Sequence, residues 1–229
     1  MNWLYNELQQ VGVDFSSQAE VEAYDQKQGS NSPEACRDLL ERLGVSESDR
    51  VLEFGTATGN LTIEAAKRCK HAYGVDVSLP MLEYARAKAK EVGLDNATFI
   101  RAGFLSYEHA ASPVDFIVTK FALHHLSDFW KARALLNIAA SLKIGGRLYL
   151  QDVIFSFAPQ SAEQEVEAWI RKVTDYSGFS RAEFETHVRD EYSTFDWVVD
   201  GLLERTGFKI LEKNVESPTY AEYICERVS

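Results

Sequence analysis

The stretch Val51-Leu52-Glu53-Phe54-Gly55-Thr56-Ala57-Thr58-Gly59-Asn60-Leu61 decides how this chain is read. A short apolar run stops at Gly55, small residues follow as far as Gly59, and an amphipathic pattern starts at Asn60. That is a strand, a tight turn and a helix start. Small residues let the backbone come close to a ligand, and a helix N-terminus offers free N–H groups. Asp76 closes the next apolar run, His71-Ala72-Tyr73-Gly74-Val75, 21 residues after Gly55. A carboxylate there can accept both hydroxyls of a ribose lying over the turn. The dinucleotide pattern G-x-G-x-x-G reads Gly55, Ala57, Asn60 here and fails twice. A phosphate loop fails because Asn60, not lysine, follows Gly59. The turn fits a nucleoside ligand without a pyrophosphate.

Outward from this segment, short apolar runs recur at residues 97–100, 115–119 and 147–150, separated by helical patterns. One helix carries Met81, Leu82, Ala85 and Ala89 between Ser78 and Gly93; another carries Trp130, Ala134, Leu135, Ile138 and Leu142 after Ser127. Near-continuous apolar strands alternating with amphipathic helices predict a parallel sheet covered on both faces. Before this core, residues 1–45 read as helical. Trp3, Leu4, Leu8 and Val11 can share one face, Ser17 with Glu20 has capping-box spacing, and Ser32-Pro33 opens a helix closed by Gly44. After it, residues 159–200 read as helices only, Trp197–Thr206 as a helix closed by Gly207, and residues 208–212 and 220–225 as an antiparallel strand pair.

Composition narrows the function. The chain has 229 residues, 45% hydrophobic and 26% charged, enough apolar material for a core rather than a disordered chain. A net charge of −11 without a Lys/Arg cluster argues against nucleic acid as partner. Cys36, Cys69 and Cys225 are widely spaced, which predicts three buried thiols and no disulfide framework. No metal site is expected. No apolar run is long enough for a membrane span, and no signal-peptide pattern opens the sequence, so a cytoplasmic location is expected.

Taken together, the motifs resemble those of class I S-adenosylmethionine-dependent methyltransferases, over about residues 46–152 and 197–227. Glu53, Gly55 and Gly59 match the first motif, with Ala57 where a middle glycine is usual. Asp76 matches the acidic residue of the second strand. Residues 115–126 match the fourth-strand motif, Leu142–Leu148 the turn into the fifth strand, and the closing hairpin the reversed last strand. The resemblance implies a Rossmann-like, seven-stranded, mostly parallel α/β sheet with a reversed last strand, plus a helical cap. It implies S-adenosylmethionine as cofactor, held by Glu53, Gly55, Thr56, Ala57, Gly59, Asp76, Val77, Gly103, Phe104 and Lys120. Gly103 stands where the family often has an acidic residue for the adenine amino group; a backbone N–H there can meet the ring and Phe104 can cover it.

The acceptor site of an open α/β sheet lies beyond the carboxyl ends of the strands. Phe121, His124 and Asp152 follow the fourth and fifth strands. His124 or His125 can serve as a base near neutral pH, or pack beneath the loop; Asp152 can contact substrate or cap the next helix. Tyr24, Trp169, Tyr176 and Tyr192 are further candidates for an apolar acceptor pocket, or core of the added helices. The expected division is an N-terminal helical cap (1–45), a cofactor-binding core (46–152), a helical lid (153–200) and the end of the core with its hairpin (201–229). The expected activity is methyl transfer to a small-molecule acceptor. A cofactor-binding relative without transferase activity and a nicotinamide-dependent oxidoreductase are the alternatives, and the oligomeric state is open.

Overall fold

The computed structural model describes residues 3–8, 18–26, 31–175 and 180–229. Its sheet contains β1 (Arg50–Phe54), β2 (His71–Asp76), β3 (Ala97–Arg101), β4 (Val114–Lys120), β5 (Leu142–Phe155), β7 (Phe208–Ser217) and β8 (Tyr220–Arg227). The order is β3-β2-β1-β4-β5-β8-β7, and β8 runs antiparallel to both neighbours. This is the expected seven-stranded, mostly parallel sheet with one reversed strand. An eighth strand, β6 (Thr194–Phe195), pairs in parallel with the end of β5. Residues 159–200 are therefore not purely helical.

Alternation along each strand feeds two helical layers. Leu52, Phe54, Ile117 and Leu148 face α5 (Asp128–Ser141) and α8 (Asp196–Arg205), meeting Leu135, Ile138, Val199 and Leu203. Val51, Val118 and Tyr149 point the other way, onto α2 (Pro33–Leu43) and α3 (Asn60–Ala66), where Leu40, Leu43, Leu61 and Ala65 are buried. Thus α2 packs in the layered core and is not part of a cap. It starts where expected: Ser32 Oγ accepts the Ala35 N–H at 3.2 Å, and Gly44 ends it at φ 78°. α4 (Leu79–Glu91) covers the β2–β3 end. α1 (Gln18–Gln26) is tied to it by Asp25, which accepts from Lys88 Nζ at 3.0 Å. α6 (Ala162–Thr174) and α7 (Arg181–Asp190) form a separate cluster around Trp169, Ile170 and Val173 against Val153 of β5. A Ser180–Glu183 capping box opens α7.

Several local expectations change. Residues 3–8 form turns rather than a helix; Trp3 instead stacks on Trp130 with centroids 6.1 Å apart. Val11 and Ser17 lie outside the described residues. Leu142 begins β5 rather than ending α5, and the expected turn at 143–146 is a bulge: Leu142 pairs with Val114, Arg147 with Phe116, and four residues stand opposite Asp115. The closing strands are longer than expected and meet at Pro218-Thr219. All three cysteines are buried and free, as expected. Among the described residues no helix is long and apolar enough to cross a membrane.

Candidate active site

The loop after β1 is closed by its own backbone. Gly55 and Thr56 N–H groups donate to Val75 O at 2.8 and 3.1 Å, and Gly59 N–H donates to Thr56 O at 2.8 Å. Gly55 and Gly59 hold φ of 71° and 80°. A side chain at Gly55 would meet Ala122 Cβ at 2.5 Å, and one at Gly59 would meet Ala85 Cβ at 2.7 Å. Conformation and crowding together require glycine at both places. Ala57 also lies in the left-handed region, at φ 46°. It therefore carries the strain that a negative φ would have spared it.

Glu53 does not face open space. Its carboxylate accepts from Thr56 Oγ1 at 2.8 Å, from Thr62 N at 3.0 Å and from Thr62 Oγ1 at 2.6 Å, binding the strand to the loop and to α3. Burial pushes its pKa up to about 7, against those hydrogen bonds, which favour the charged form. Asp76 accepts the Ala57 N–H at 2.8 Å and the Ser78 N–H at 2.9 Å, and burial raises its pKa as well. Val77 follows it, with its carbonyl accepting from Arg101 Nε at 3.2 Å. Lys120, at the end of β4, donates to Asn31 Oδ1 at 2.7 Å, and burial lowers its pKa. Phe121 next to it has φ 50° and packs edge-on against Tyr220.

The loop after β3 departs most from the sequence reading. Phe104 is buried and stacks on Phe54 with centroids 5.0 Å apart, so its ring belongs to the core rather than to a ligand surface. The Gly103 N–H is taken by Ser106 Oγ at 3.1 Å. The space that a side chain at Gly103 would occupy is filled by the carboxylate of Glu7. Glu7 also accepts from Leu105 N at 2.9 Å and Ser106 N at 2.6 Å. The acid missing at position 103 is thus replaced in space by one from the N-terminal segment. No local spacing signals this, because the partners are 98 and 99 residues apart.

Beyond β4 and β5 the structure brings His124 and Asp152 together: Nδ1 and Oδ1 are 2.5 Å apart, and Asp152 Oδ2 accepts the His124 N–H at 3.1 Å. His124 Nε2 lies 3.3 Å from Glu191 Oε2, and His187 Nδ1 contacts the same oxygen. Burial opposes charge on His124, but Asp152 and Glu191 override it and raise its pKa to about 9. Asp152 and Glu191 are held low by the histidines, against the effect of burial. Both nitrogens of His124 face carboxylates, so neither is free to act as a base. His125 is pushed down to about 4 by burial and by His124, and its buried Nδ1 makes no hydrogen bond. Sequence reasoning missed Glu191 and His187; their only signal is an i, i+4 spacing.

The remaining acceptor-side candidates scatter. Tyr24 is half-buried on α1, the helix whose Asp25 accepts from Asn60 Nδ2 at 3.4 Å beside the glycine loop. Trp169 is buried, donates from Nε1 to Tyr220 OH at 3.0 Å and packs on Phe184, which makes it core of the added helices. Tyr192 is exposed, with its backbone N–H donated to His124 O at 2.8 Å. Tyr176 lies outside the described residues.

The sheet order, the reversed β8 and the glycine loop at the carboxyl end of β1 define a class I methyltransferase. A methyltransferase-domain family matches residues 51–146. An uncharacterized methyltransferase of Geobacillus kaustophilus (strain HTA426) is 31% identical over 170 residues, 74% of each chain. Another, from Geobacillus sp. (strain WCH70), is 30% identical over 176 residues, 76% of each chain. Among solved structures, a SAM-dependent methyltransferase from Aquifex aeolicus superposes with TM-score 0.65 at 20% identity, covering 93% of this chain and 99% of that one. Magnesium protoporphyrin IX methyltransferase from Synechocystis PCC 6803, solved with SAH bound, gives 0.62 at 17% identity over 96% and 90%. The similarity to the Geobacillus proteins extends through three quarters of their length, and the chain belongs to their methyltransferase family.

Proposed function

We propose that this protein transfers a methyl group from S-adenosylmethionine to a small-molecule acceptor. The observation that carries the reading is the loop of residues 55–59 at the carboxyl end of β1, held by Glu53 beneath it and Asp76 beside it. The two glycines hold left-handed turns packed against Ala122 and Ala85, and this tight loop leads into the N-terminus of α3, whose free N–H groups suit a nucleoside ligand. The residues therefore fit the cofactor.

The cofactor would supply an electrophilic methyl group on a sulfonium, so the chain's task is positioning rather than activation. Asp76 accepts the ribose hydroxyls with the oxygen lone pairs its backbone partners leave unused. Gly55, Thr56, Ala57 and Gly59 line the close approach, with Glu53 fixing their geometry from below. Val77, Gly103 and Lys120 border the same space, and Glu7 accepts from the adenine amino group in place of a side chain at Gly103. On the acceptor side stand Phe121 and Tyr192, with the His124–Asp152 pair orienting the loop after β4. The helices of residues 159–190 act as a lid that excludes water, over a core made of α2, residues 46–152, α8 and the closing hairpin. The acidic charge supports a small acceptor over nucleic acid.

Calorimetric titration with S-adenosylhomocysteine tests the cofactor half of this reading. A single site per chain is expected, weakened several-fold by Glu7→Ala. Absence of binding to the folded parent would reject it.

A further inference from the structure

We propose that His124, His187 and Glu191 form a binding site for one divalent transition-metal ion of the zinc class, with Asp152 supporting it from behind His124. One ligand atom from each of the three residues lies within 4.8 Å of the others, and the group is shielded from solvent. Ligand atoms about 2.1 Å from a tetrahedral ion stand roughly 3.4 Å apart. His124 Nε2 and Glu191 Oε2 are already 3.3 Å apart, whereas His187 Nδ1 sits closer to that oxygen and has to draw back to admit an ion.

The outer contacts orient the two rings. Asp152 takes His124 Nδ1 at 2.5 Å, which turns Nε2 towards Glu191. Ser193 Oγ lies 2.9 Å from His187 Nε2 and orients the ring so that Nδ1 faces the same Glu191 oxygen. A carboxylate behind a ligating histidine is the usual way a protein fixes the tautomer of a metal ligand. A cation held between the three groups would take the place of the protons shared with Glu191 and leave the two outer contacts, to Asp152 and Ser193, intact.

The frame is rigid enough to hold such a site. His187 and Glu191 are one turn apart at the end of α7, and the Glu191 N–H donates to His187 O at 3.1 Å. The following N–H, of Tyr192, donates to His124 O at 2.8 Å and pins that segment to the loop after β4. Two histidines and one carboxylate leave a fourth position, which water or a ligand oxygen can take, as in open rather than closed zinc sites.

The test uses the full chain, stripped with a chelator and titrated with cobalt(II), whose visible absorption reports ligand number. One equivalent should bind with a four-coordinate spectrum, and zinc should displace it. His187→Ala and Glu191→Gln should each weaken binding at least about tenfold, and Asp152→Asn by about ten- to a hundredfold. No binding by the parent, or affinity unchanged in the first two variants, would overturn the site. Should those variants fail to fold, X-ray absorption of the cobalt-loaded parent decides: two imidazole nitrogens support the site, and fewer overturn it. None of these readings uses methyl transfer, so failure here leaves the proposed activity standing, and the reverse.

Discussion

Asp76 Oδ2 accepts the N–H of Ala57 at 2.8 Å, and Ala57 is held at φ 46°. The second strand therefore fixes the shape of the loop after the first, and one carboxylate serves both the loop and the ligand it is proposed to hold. A hydrogen bond to a charged acceptor contributes about 1.5–3 kcal/mol. Asp76→Ala should weaken S-adenosylmethionine binding at least tenfold by calorimetry, more than Asp76→Asn, which keeps one acceptor oxygen. Unchanged affinity in the folded alanine variant would remove Asp76 from the site.

The left-handed loop residues should respond in opposite directions. Ala57→Gly relieves a strain of about 1–2 kcal/mol, offset by about 0.5–1 kcal/mol of added freedom in the unfolded chain. A small rise in melting temperature is expected. Gly55→Ala adds a methyl at φ 71° and drives it into Ala122. It should lower stability by more than about 1 kcal/mol and impair cofactor binding. Equal tolerance of both changes would mean that the loop is softer than its hydrogen bonds imply.

Glu53 gives a pH signature. Its folded-state pKa of about 7 stands above the ordinary 4.5 of the unfolded chain, because burial disfavours the charge. The folded state holds the proton more tightly, so the contribution is full below about pH 4.5 and is lost as pH rises through 7. The swing is on the order of 3 kcal/mol. Glu53→Gln cannot lose a proton. Denaturation at several pH values should show the variant gaining on the parent between pH 5 and 8; a constant difference between them would contradict the buried charge.

Trp169 and Tyr192 separate core from lid. Trp169 is 6% exposed and packed among aromatic rings, whereas Tyr192 is 42% exposed. Trp169→Ala should cost about 3–5 kcal/mol in stability while the folded fraction keeps its cofactor affinity. Tyr192→Ala should change stability by no more than about 0.5 kcal/mol. If the segment lines the acceptor site, that variant loses turnover with the cofactor still bound. A Tyr192 variant with full turnover would take that side chain out of the acceptor pocket.

The legible parts of this protein are those in which function depends on neighbours in sequence. Residues 51–61 show strand, turn and helix because the turn needs small residues within five positions, and Asp76 follows at the end of the next strand. Ser32, Gly44 and Ser180 mark helix ends for the same local reason. The site beyond β4 was half legible: His124 and Asp152 stand at strand ends, but Glu191 and His187 reach them only when α7 folds back. Glu7 was hidden altogether, since it fills a gap left by a glycine about a hundred residues away. Phe104 misled for a related reason, and the two readings of Trp169 stayed open until packing placed it in the core. An aromatic residue near a cleft has the same sequence signature whether it lines the cleft or supports it, and packing alone distinguishes the two.

The central claim, methyl transfer to a small acceptor, is tested most directly by following the label from methyl-tritiated S-adenosylmethionine. The purified protein is incubated with a cell extract separated by size into small-molecule and macromolecular fractions, and radioactivity and S-adenosylhomocysteine are measured in each. The account predicts label in the small-molecule fraction, matched by S-adenosylhomocysteine and abolished in Asp76→Ala. Label in protein or nucleic acid, or cofactor binding without any transfer, would contradict it.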